Sequence, residues 1–526
     1  MTNSISEIEG SDAIFIIGSN TSEAHPVIAS KMKRAVRNGT KLIVADPRKI
    51  GMSEVADIAV QQNPGSDIAL INGMINVIIN EGLLDQDFID EKTENFNEIK
   101  EVIKEFTPQK VEDITGVDKE KIIEMARIYG KANKGAIYYA MGITQHVSGT
   151  ANVLSIANLA MLTGNVGKES TGVNPLRGQN NVQGACDLGG LPNVYPGYQK
   201  VEEKENLEKF KKGWDVDYLS QKNGLTVVEM LDAADEDKLN ALYIMGENPI
   251  ISDPNQNHVK KVYEKLDFLV VQDIFLTETA KYADVVLPAS CFAEKDGTFT
   301  NSDRRIQMVN KAVDAPGEAM ADWKILQEIS NRLGMDMDYD SAKDVMKEIA
   351  DMTPIYGGIS YKRIKEKTLQ WPCKDKNSEG TKFLHKGEFA RGKGRFHPIS
   401  YIPPVEKVDD EYGFIMMTGR MLYQYHSGTM TRNSSSIDEH QSDSYIEMNP
   451  LDASRLNLKN KQRVKVSSRR GEIETFVKLD NKIRKGQLFM PFHYSESPAN
   501  RLTNDNLDPT AKIPELKVTA VSIEKV

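Results

Sequence analysis

The chain is poor in cysteine, and this scarcity excludes several kinds of site. Its 526 residues include three cysteines, Cys186, Cys291 and Cys373, which lie far apart and form no Cys-x-x-Cys motif. The eight histidines show no His-x-x-x-His spacing. Neither a disulfide framework, nor a cysteine-held cluster, nor a motif-type zinc site is therefore predicted. Each cysteine is interpreted as a small buried side chain.

Long apolar runs and an excess of positive charge are also missing. No run approaches the length of a transmembrane helix, and the first ten residues, MTNSISEIEG, lack the basic and apolar regions of a signal peptide. The net charge is −10, from 66 basic and 76 acidic residues. Because phosphate binding needs a basic face, this balance argues against nucleic acid as the main partner. We expect a cytoplasmic protein without a membrane span, with roughly three or four domains.

One stretch differs from the rest of the chain, Thr171–Gly184 (TGVNPLRGQNNVQG). It contains three asparagines, two glutamines, one arginine and three glycines. Asparagine and glycine weaken helices and strands, so neither element is expected here. The stretch is either a surface loop or a site for a polar ligand, since amides beside one fixed cation suit phosphate or carboxylate groups. We take Arg177 as the candidate functional charge.

Two segments of the chain repeat one pattern of strand, glycine turn and aspartate. The distance from the glycine to the first aspartate is 28 positions in one segment and 27 in the other. A second aspartate follows 11 positions later in both segments. The anchors are Gly18, Asp46 and Asp57 in the first segment, and Gly246, Asp273 and Asp284 in the second. Strands alternating with helices predict two related parallel-sheet units.

Each glycine turn has the ingredients of a nucleotide site. A glycine after a strand lets the backbone approach a phosphate, and an aspartate that ends the next strand can hold a sugar hydroxyl or a guanine edge. Neither turn reads Gly-x-Gly-x-x-Gly, which disfavours ordinary NAD binding. The alternative is a pair of Rossmann-like turns without a ligand. Two such units around one amide-rich stretch suggest two nucleotide tails, or one long ligand, meeting near Arg177.

The remaining segments change in character along the chain. Residues 200–238 are charged and predicted to be helical, and residues 323–371 are mostly helical. Past Tyr401 the pattern becomes that of short strands. Gln462–Ser467 and Glu472–Leu479 form a predicted hairpin, and Gly486–Phe492 adds a third strand. This part indicates a separate β-barrel domain.

These motifs together resemble the molybdopterin oxidoreductase family and, within it, the catalytic α subunit of formate dehydrogenase. The resemblance covers essentially the whole chain. Its motifs are IFIIGSNTSEAHPV, IVADPRK, AMGITQH, MLTGNVGKESTGVNPLRGQNNVQGACDLG, YIMGENP, VVQDIFLTETAKYADVVLP, TGRMLYQYHSGTMTR and ANRLTNDNLDP.

The resemblance implies a bis-molybdopterin guanine dinucleotide cofactor with molybdenum or tungsten, one dinucleotide on each α/β unit. For the first dinucleotide it implies Asn20, Glu23, Asp46, Arg48 and Asp67. For the second it implies Gly246, Asn248, Gln272 and Asp273. For the pterin parts nearer the metal it implies Gln145, Gln179, Arg420, His426 and Asn500. Further cofactor-binding residues are expected at Gly18, Gly65, Gly178, Thr418, Gly419 and Lys517. Arg177 matches the arginine that faces formate, a carboxylate that a guanidinium can hold by charge-assisted hydrogen bonds.

The sequence departs from this family at its front end. Family members begin with a cysteine-rich segment that holds a [4Fe–4S] cluster, followed by a cysteine or selenocysteine that ligates the metal. This chain contains neither, so its metal ligand is expected upstream of Met1. We hypothesise that the ligand is selenocysteine and that its UGA codon was read as a stop; a separate subunit is the rival explanation. In either case the chain by itself is not expected to oxidise formate.

The expected fold is α/β, with two Rossmann-like parallel-sheet units and a C-terminal β-barrel of the double-psi type. The expected domains are residues 1–180 and 181–291 for the two units, 292–400 for a helical or mixed connection, and 401–526 for the barrel. The expected partners are formate, carbon dioxide and an iron–sulfur electron-transfer subunit, ferredoxin, an NAD-linked diaphorase or a hydrogenase. Another molybdopterin enzyme, such as a nitrate reductase, and a non-catalytic scaffold are the alternatives.

Overall fold

The structure is a computed structural model that describes residues 1–526. The chain forms two compact units. The first contains residues 1–178, 251–257 and 383–526, and the second contains residues 179–250 and 258–382. No helix in either unit combines the length and the apolar character needed to cross a bilayer. The predicted boundaries at residues 180, 291 and 400 stay predictions.

The strands, numbered along the chain, are β1 Ala13–Ile17, β2 Lys41–Ala45, β3 Ile58–Val60, β4 Thr93–Glu94, β5 Gly135–Tyr139, β6 Gly172–Pro175, β7 Val194–Tyr195, β8 Gln199–Lys200, β9 Ala241–Met245, β10 Phe268–Asp273, β11 Val285–Pro288, β12 Gly297–Thr300, β13 Arg305–Val309, β14 Leu369–Gln370, β15 Gly394–Arg395, β16 Phe414–Gly419, β17 Tyr445–Met448, β18 Arg463–Ser468, β19 Gly471–Leu479, β20 Gln487–Pro491 and β21 Thr519–Lys525.

The α-helices are α1 Thr21–Ala24, α2 Pro26–Arg37, α3 Asp67–Asn80, α4 Gln86–Lys92, α5 Phe96–Ile103, α6 Pro108–Thr115, α7 Lys119–Gly130, α8 Met141–Thr144, α9 Gly149–Leu162, α10 Val182–Asp187, α11 Lys204–Trp214, α12 Val227–Asp235, α13 Pro249–Ser252, α14 Gln256–Lys265, α15 Asp322–Arg332, α16 Ala342–Met352, α17 Tyr361–Glu366, α18 Ser435–Asp438 and α19 Pro450–Arg455.

A five-stranded parallel sheet organises the first unit, in the order β3-β2-β1-β5-β6. Its central strands are continuous apolar runs, because helices cover both faces of the sheet. Phe15 and Ile17 pack into the core formed with α3, α7 and α9. Ile14 and Ile16 point to the opposite face and pack against Met32 of α2. The predicted Rossmann-like architecture is confirmed in this unit.

The amide-rich stretch is not the loop that its composition predicts. Its first residues form β6, which pairs in parallel with β5 at the edge of the sheet, and its last residues begin α10. The expectation that asparagine and glycine exclude a strand here is wrong. An edge strand needs backbone hydrogen bonds on one side only. Both polar atoms of the buried Asn174 side chain are also hydrogen-bonded. Its Oδ1 accepts from the backbone N–H of Asn3 at 3.2 Å, and its Nδ2 donates to the carbonyl of Thr171 at 3.3 Å.

A three-stranded parallel sheet, β11-β10-β9, lies in the second unit and confirms the predicted repeat. Residues paired across the first two strands of each repeat are 28 positions apart for Ala13 and Lys41, and 27 apart for Ala241 and Phe268. Between the second and third strands the offset is 15 positions in both repeats. The second unit also contains an antiparallel sheet, β12-β13-β14, whose core includes residues of α16 and α17.

The C-terminal part of the first unit is a closed six-stranded barrel in the order β16-β20-β17-β19-β18-β21. Alternate residues of β18 and β19, such as Val464, Val466 and Ile473, are buried in its core, as their apolar–polar alternation predicts. The hairpin turn falls at Arg469-Arg470, between the two predicted strands. The predicted barrel is confirmed.

Candidate functional site

The turn after β1 brings the backbone of the first unit into a position that only glycine allows. Gly18 has a φ of 58°, and its N–H donates to the carbonyl of Ala45 at the end of β2, at 3.1 Å. Its own carbonyl accepts from the N–H of Gly142, also at 3.1 Å. A Cβ on Gly18 would meet the carbonyl carbon of Gly142 at 2.8 Å. The turn therefore joins the carboxyl ends of β1, β2 and β5.

Asn20 immediately precedes α1, and its side chain lacks a partner inside the protein. Its Oδ1 is buried and accepts no hydrogen bond. A buried polar atom without a partner costs free energy, so such an atom at a strand end indicates a ligand group. Glu23 lies within the same short helix. The structure therefore places both predicted residues beside the Gly18 turn.

Asp46 directly follows β2 and lies near charged groups of both signs. Its Oδ1 accepts from the backbone N–H of Arg48 at 2.9 Å. Burial raises the pKa of Asp46, while the positive charges of Arg48 and Lys517 lower it and Glu23 raises it further. Burial also lowers the pKa of Lys517 to about 8. The Lys517 Nζ donates to the carbonyl of Thr418, at 2.9 Å. The structure thus brings Glu23, Asp46, Arg48 and Lys517 together.

Two residues that orient Arg48 were missed by the sequence interpretation. The Arg48 guanidinium lies 3.4 Å from the ring centroid of Phe489 and 3.3 Å from an Oε of Glu447. Glu447 is buried, and its other Oε accepts from Lys478 at 3.1 Å. Both partners belong to barrel strands about 400 positions further along the chain, so no local spacing signals them.

Asp67 begins α3 after the turn that follows β3. Its Oδ1 accepts from the Nε2 of Gln62 at 3.0 Å. Burial raises the pKa of Asp67 to about 6, and the charge of Asp46 adds to this increase. Gly65 has a φ of 77°, and a Cβ there would meet the Pro404 ring at 2.3 Å. The Asp67 carboxylate and the Gly65 backbone therefore lie close to the Asp46 group.

Arg177 lies two residues beyond β6, at the carboxyl end of the sheet. The preceding Leu176 donates its N–H to the carbonyl of Tyr139 at 2.8 Å, which fixes this segment beside β5. Burial raises the pKa of Tyr139 to about 12, and the positive charge of Arg177 opposes the increase. Gly178 accepts at its carbonyl from the Nη1 of Arg420 at 2.7 Å. The predicted Arg177, Gly178 and Arg420 are therefore neighbours.

Arg420 is a second cation in this region with an unsatisfied atom. Its Nε is buried and has no hydrogen-bond partner, and its guanidinium lies 5.1 Å from the ring centroid of Tyr425. Burial lowers the pKa of His426 to about 4, and the charges of Arg420 and Lys517 contribute to this decrease. His426 is therefore a neutral donor or acceptor near neutral pH.

Other predicted residues of the first unit make contacts within the protein. Asn500 is buried, and its Nδ2 donates to the carbonyls of Ile251 and Ser252 at 2.8 and 3.0 Å. The Thr418 hydroxyl donates to the carbonyl of Leu516 at 2.7 Å. A Cβ on Gly419 would meet the ring of Phe489 at 2.6 Å. Gln145 follows α8 directly, and its backbone N–H donates to the carbonyl of Met141 at 3.0 Å.

The second unit repeats the glycine turn with different side-chain partners. Gly246 has a φ of 64°, and its N–H donates to the carbonyl of Gln272 at 2.8 Å. The Gln272 side chain is buried between two partners, accepting from the Tyr243 hydroxyl and donating to Asp322 at 2.8 Å. Burial raises the pKa of Asp273, and the Asp322 charge adds to the increase.

Asn248 links the second turn to the segment after β10. Its Oδ1 accepts from the hydroxyl of Thr279 at 2.7 Å, and its Nδ2 donates to Glu278 at 2.8 Å. Gln179, the first residue of this unit, is half-buried. In neither unit is there a group of three or more histidines, cysteines or carboxylates placed to hold a metal ion.

Sequence and structure comparisons identify the class of protein. Residues 1–332 match the molybdopterin oxidoreductase family, and residues 414–520 match the molybdopterin dinucleotide binding domain. The chain belongs to the molybdopterin oxidoreductase family. Acetylene hydratase from Pelobacter acetylenicus has the same fold, with a TM-score of 0.79 at 20% identity over 98% of this chain and 78% of that one.

Two more similar proteins come from a narrower group. The chain is 53% identical to the F420-dependent formate dehydrogenase subunit alpha of Methanocaldococcus jannaschii, over all of this chain and 78% of the relative. It is 40% identical to formate dehydrogenase H of Escherichia coli, over all of this chain and 74% of the relative.

The residues present fit a molybdopterin dinucleotide. The unpartnered Oδ1 of Asn20 and Nε of Arg420 offer one buried acceptor and one buried donor. The cations Arg48, Arg420 and Lys517 suit a pyrophosphate. The carboxylates Asp46 and Asp67 can accept from the N–H groups of a guanine edge.

Proposed function

We propose that this chain belongs to the catalytic subunit of a formate dehydrogenase, an enzyme that oxidises formate to carbon dioxide. The observation that carries the proposal is the position of Arg177 at the carboxyl end of β6, in a chain whose similar relatives at 53% and 40% identity are named formate dehydrogenases. In this reaction formate loses two electrons and one proton. The products are carbon dioxide and electrons for an iron–sulfur partner.

The proposed cofactor is a bis-molybdopterin guanine dinucleotide with molybdenum or tungsten. The first dinucleotide is assigned to Asn20, Glu23, Asp46, Arg48 and Asp67, and the second to Gly246, Asn248, Gln272 and Asp273. The pterin parts nearer the metal are assigned to Gln145, Gln179, Arg420, His426 and Asn500. Further proposed cofactor-binding residues are Gly18, Gly65, Gly178, Thr418, Gly419 and Lys517. When bound, this group accepts the two electrons of the substrate.

Arg177 is proposed to bind and orient the formate carboxylate. A guanidinium presents two parallel N–H donors that match a carboxylate, and this arrangement leaves the C–H bond directed away from the arginine. The neighbouring Tyr139 stays protonated at neutral pH, since burial raises its pKa to about 12. The positive charge beside formate is therefore not neutralised by a tyrosinate.

The proposed setting is the cytoplasm of an anaerobically growing cell. The electron acceptors proposed are an iron–sulfur subunit, with its [4Fe–4S] cluster, and beyond it ferredoxin, an NAD-linked diaphorase or a hydrogenase. The proposed domain division is 1–180, 181–291, 292–400 and 401–526. The structure divides the chain differently, since residues 383–526 pack with residues 1–178 in one compact unit.

The test is the Arg177→Ala variant of the native enzyme, assembled with its partner subunits. We expect kcat/KM for formate to fall about a hundredfold or more, because two charge-assisted hydrogen bonds are lost. Metal and pterin content should stay at the wild-type level. Arg177→Lys should recover part of the activity, since it keeps the charge without the paired donors.

Arg37→Ala provides the matched control, because Arg37 is an exposed arginine at the end of α2. It should leave formate oxidation unchanged. Wild-type-like activity in Arg177→Ala would contradict the proposed role of this residue. Reduction of nitrate without formate oxidation would favour the nitrate reductase alternative, and a native enzyme without pterin or metal would favour a scaffold.

A further inference from the structure

A second concave site lies in the first unit, against the edge strand β3. It is a cleft of about 630 Å³. Its walls come from β3, from the segment after β2, from the start of α7 and from the barrel segment that follows β19. The lining includes Lys49, Ile50, Val117, Lys121, Lys482 and Arg484. The predicted dinucleotide residues Asn20, Asp46 and Asp67 do not line this cleft.

Four cations converge on the cleft, and none of them forms an ion pair. Lys49, Lys121, Lys482 and Arg484 all line it, and no carboxylate oxygen lies within 4.0 Å of their charged nitrogens. This grouping is unusual in a chain whose net charge is −10. Uncompensated like charges repel each other, so their convergence on one concavity points to an anionic ligand.

The two acidic side chains in the lining do not neutralise this charge. The Asp118 carboxylate accepts from the backbone N–H of Glu120 at 2.8 Å and so caps the start of α7. Glu54 is the other acidic residue. Four positive charges thus face two negative ones, of which one already stabilises a helix end.

Side-chain and backbone hydrogen bonds hold the walls of the cleft in place. The Nη1 of Arg484 donates to the carbonyl of Gln61 at 2.8 Å and to the Oδ1 of Asn63 at 3.2 Å. The N–H of Lys49 donates to the carbonyl of Lys482 at 3.1 Å. A preformed site loses less conformational entropy when it binds a ligand.

The inner wall of the cleft is apolar, which narrows the class of ligand. Ile50, Val60 and Val117, each at most 5% exposed, close the floor of the cleft, and the half-buried Ala59 adds accessible apolar surface. Cations around an apolar wall suit a compact molecule with a phosphate group and a flat, less polar part. We propose that this cleft binds an organic phosphate of nucleotide size. An acidic segment of a partner protein would suit a shallower surface with charges spread along it.

Isothermal titration of the full chain with ADP, AMP and inorganic pyrophosphate tests this proposal. We expect one ADP to bind at the cleft, more tightly than AMP and more tightly than pyrophosphate, and more weakly as the salt concentration rises. The double variant Lys121→Glu/Lys482→Glu should weaken ADP binding by roughly tenfold or more, because it removes two charge-assisted contacts. Lys121 and Lys482 are both exposed, so the double variant should still fold.

The matched controls are Lys485→Glu and Lys119→Glu, which change the charge close to Lys482 and Lys121 without altering the lining. Both should bind ADP like the wild type. Unchanged ADP binding in the double variant would place the nucleotide elsewhere and overturn the proposal. Absence of ADP binding at millimolar concentration would also overturn the proposal. So would pyrophosphate that binds as tightly as ADP, or an acidic partner subunit that occupies the cleft.

Discussion

The two α/β repeats have the same backbone framework but differ in the charges placed on it. In both, the turn glycine has a positive φ and donates to the end of the next strand, through Gly18 and Ala45 or Gly246 and Gln272. In both, an aspartate before the third strand binds the backbone N–H of a residue near the start of the second strand at 2.8 Å. The repeated hydrogen bonds indicate one structural solution used twice.

The surroundings of the aspartate that ends the second strand differ between the repeats. Burial raises the pKa of both aspartates. The positive charges of Arg48 and Lys517 oppose this increase at Asp46, whereas the negative charge of Asp322 adds to it at Asp273. The repeated backbone therefore carries its two aspartates in surroundings of different electrostatic character.

Burial of the two sheets differs as well. Every residue of β1 and β5 is buried, as is usual for a parallel sheet covered on both faces. In the second sheet, Tyr243, Met245 and Phe268 are 41%, 49% and 46% exposed. The first repeat is therefore held by a complete core, and substitutions there should cost more free energy than equivalent ones in the second repeat.

The largest expected effect comes from adding a methyl group to the first turn glycine. Gly18→Ala forces a left-handed conformation on alanine and drives its Cβ into Gly142 and Ile143, at 2.8 to 2.9 Å. The summed cost of the backbone conformation and of overpacking is about 3 kcal/mol or more. We expect a clear drop in the thermal unfolding temperature and loss of soluble protein, both measured on the purified chain.

Gly246→Ala is the matched substitution in the second repeat. Its φ is similarly positive, but no atom lies within 4 Å of the added Cβ. Only the conformational cost of about 1 kcal/mol is expected. Equal destabilisation by the two variants would show that the crowding around Gly18 contributes nothing.

Much of this comparison could be predicted from the sequence, because its signals are local. The apolar runs of β1, β2 and β5 and the glycine–aspartate spacing give the strands and the repeat directly. Contacts that depend on distant parts of the chain could not be found in this way. Arg48 meets Glu447 across 399 positions, and β6 forms from a polar segment because β5 offers it a backbone partner.

The next largest effect is a change in the pH dependence of stability. Burial raises the pKa of Asp67 to about 6, above its ordinary value of 3.8. This carboxyl therefore stabilises the fold when it is protonated at low pH, and the stabilisation is lost as the pH rises through 6. Asp67→Asn should make the chain about 3 kcal/mol more stable at pH 8 but nearly unchanged at pH 4.

Thermal unfolding of Asp67→Asn and of the wild type between pH 4 and pH 8 measures this difference in the cofactor-free chain. The exposed Asp87, in the first turn of α4, supplies the control Asp87→Asn. That variant should follow the wild-type pH profile. If Asp67→Asn did so too, the pKa of Asp67 would not be raised in the folded chain.

The smallest expected effect tests the charge difference itself. Asp322→Asn removes the negative charge that raises the pKa of Asp273, so the pKa of Asp273 should fall. In the first repeat, Lys517→Met removes a positive charge that lowers the pKa of Asp46, so the pKa of Asp46 should rise. Carboxyl-selective NMR titration of the two aspartates measures both shifts. The predicted signs are opposite because one aspartate has a negative neighbour and the other a positive one. Shifts of the same sign would contradict this assignment, and no shift in either aspartate would mean that burial alone controls both pKa values.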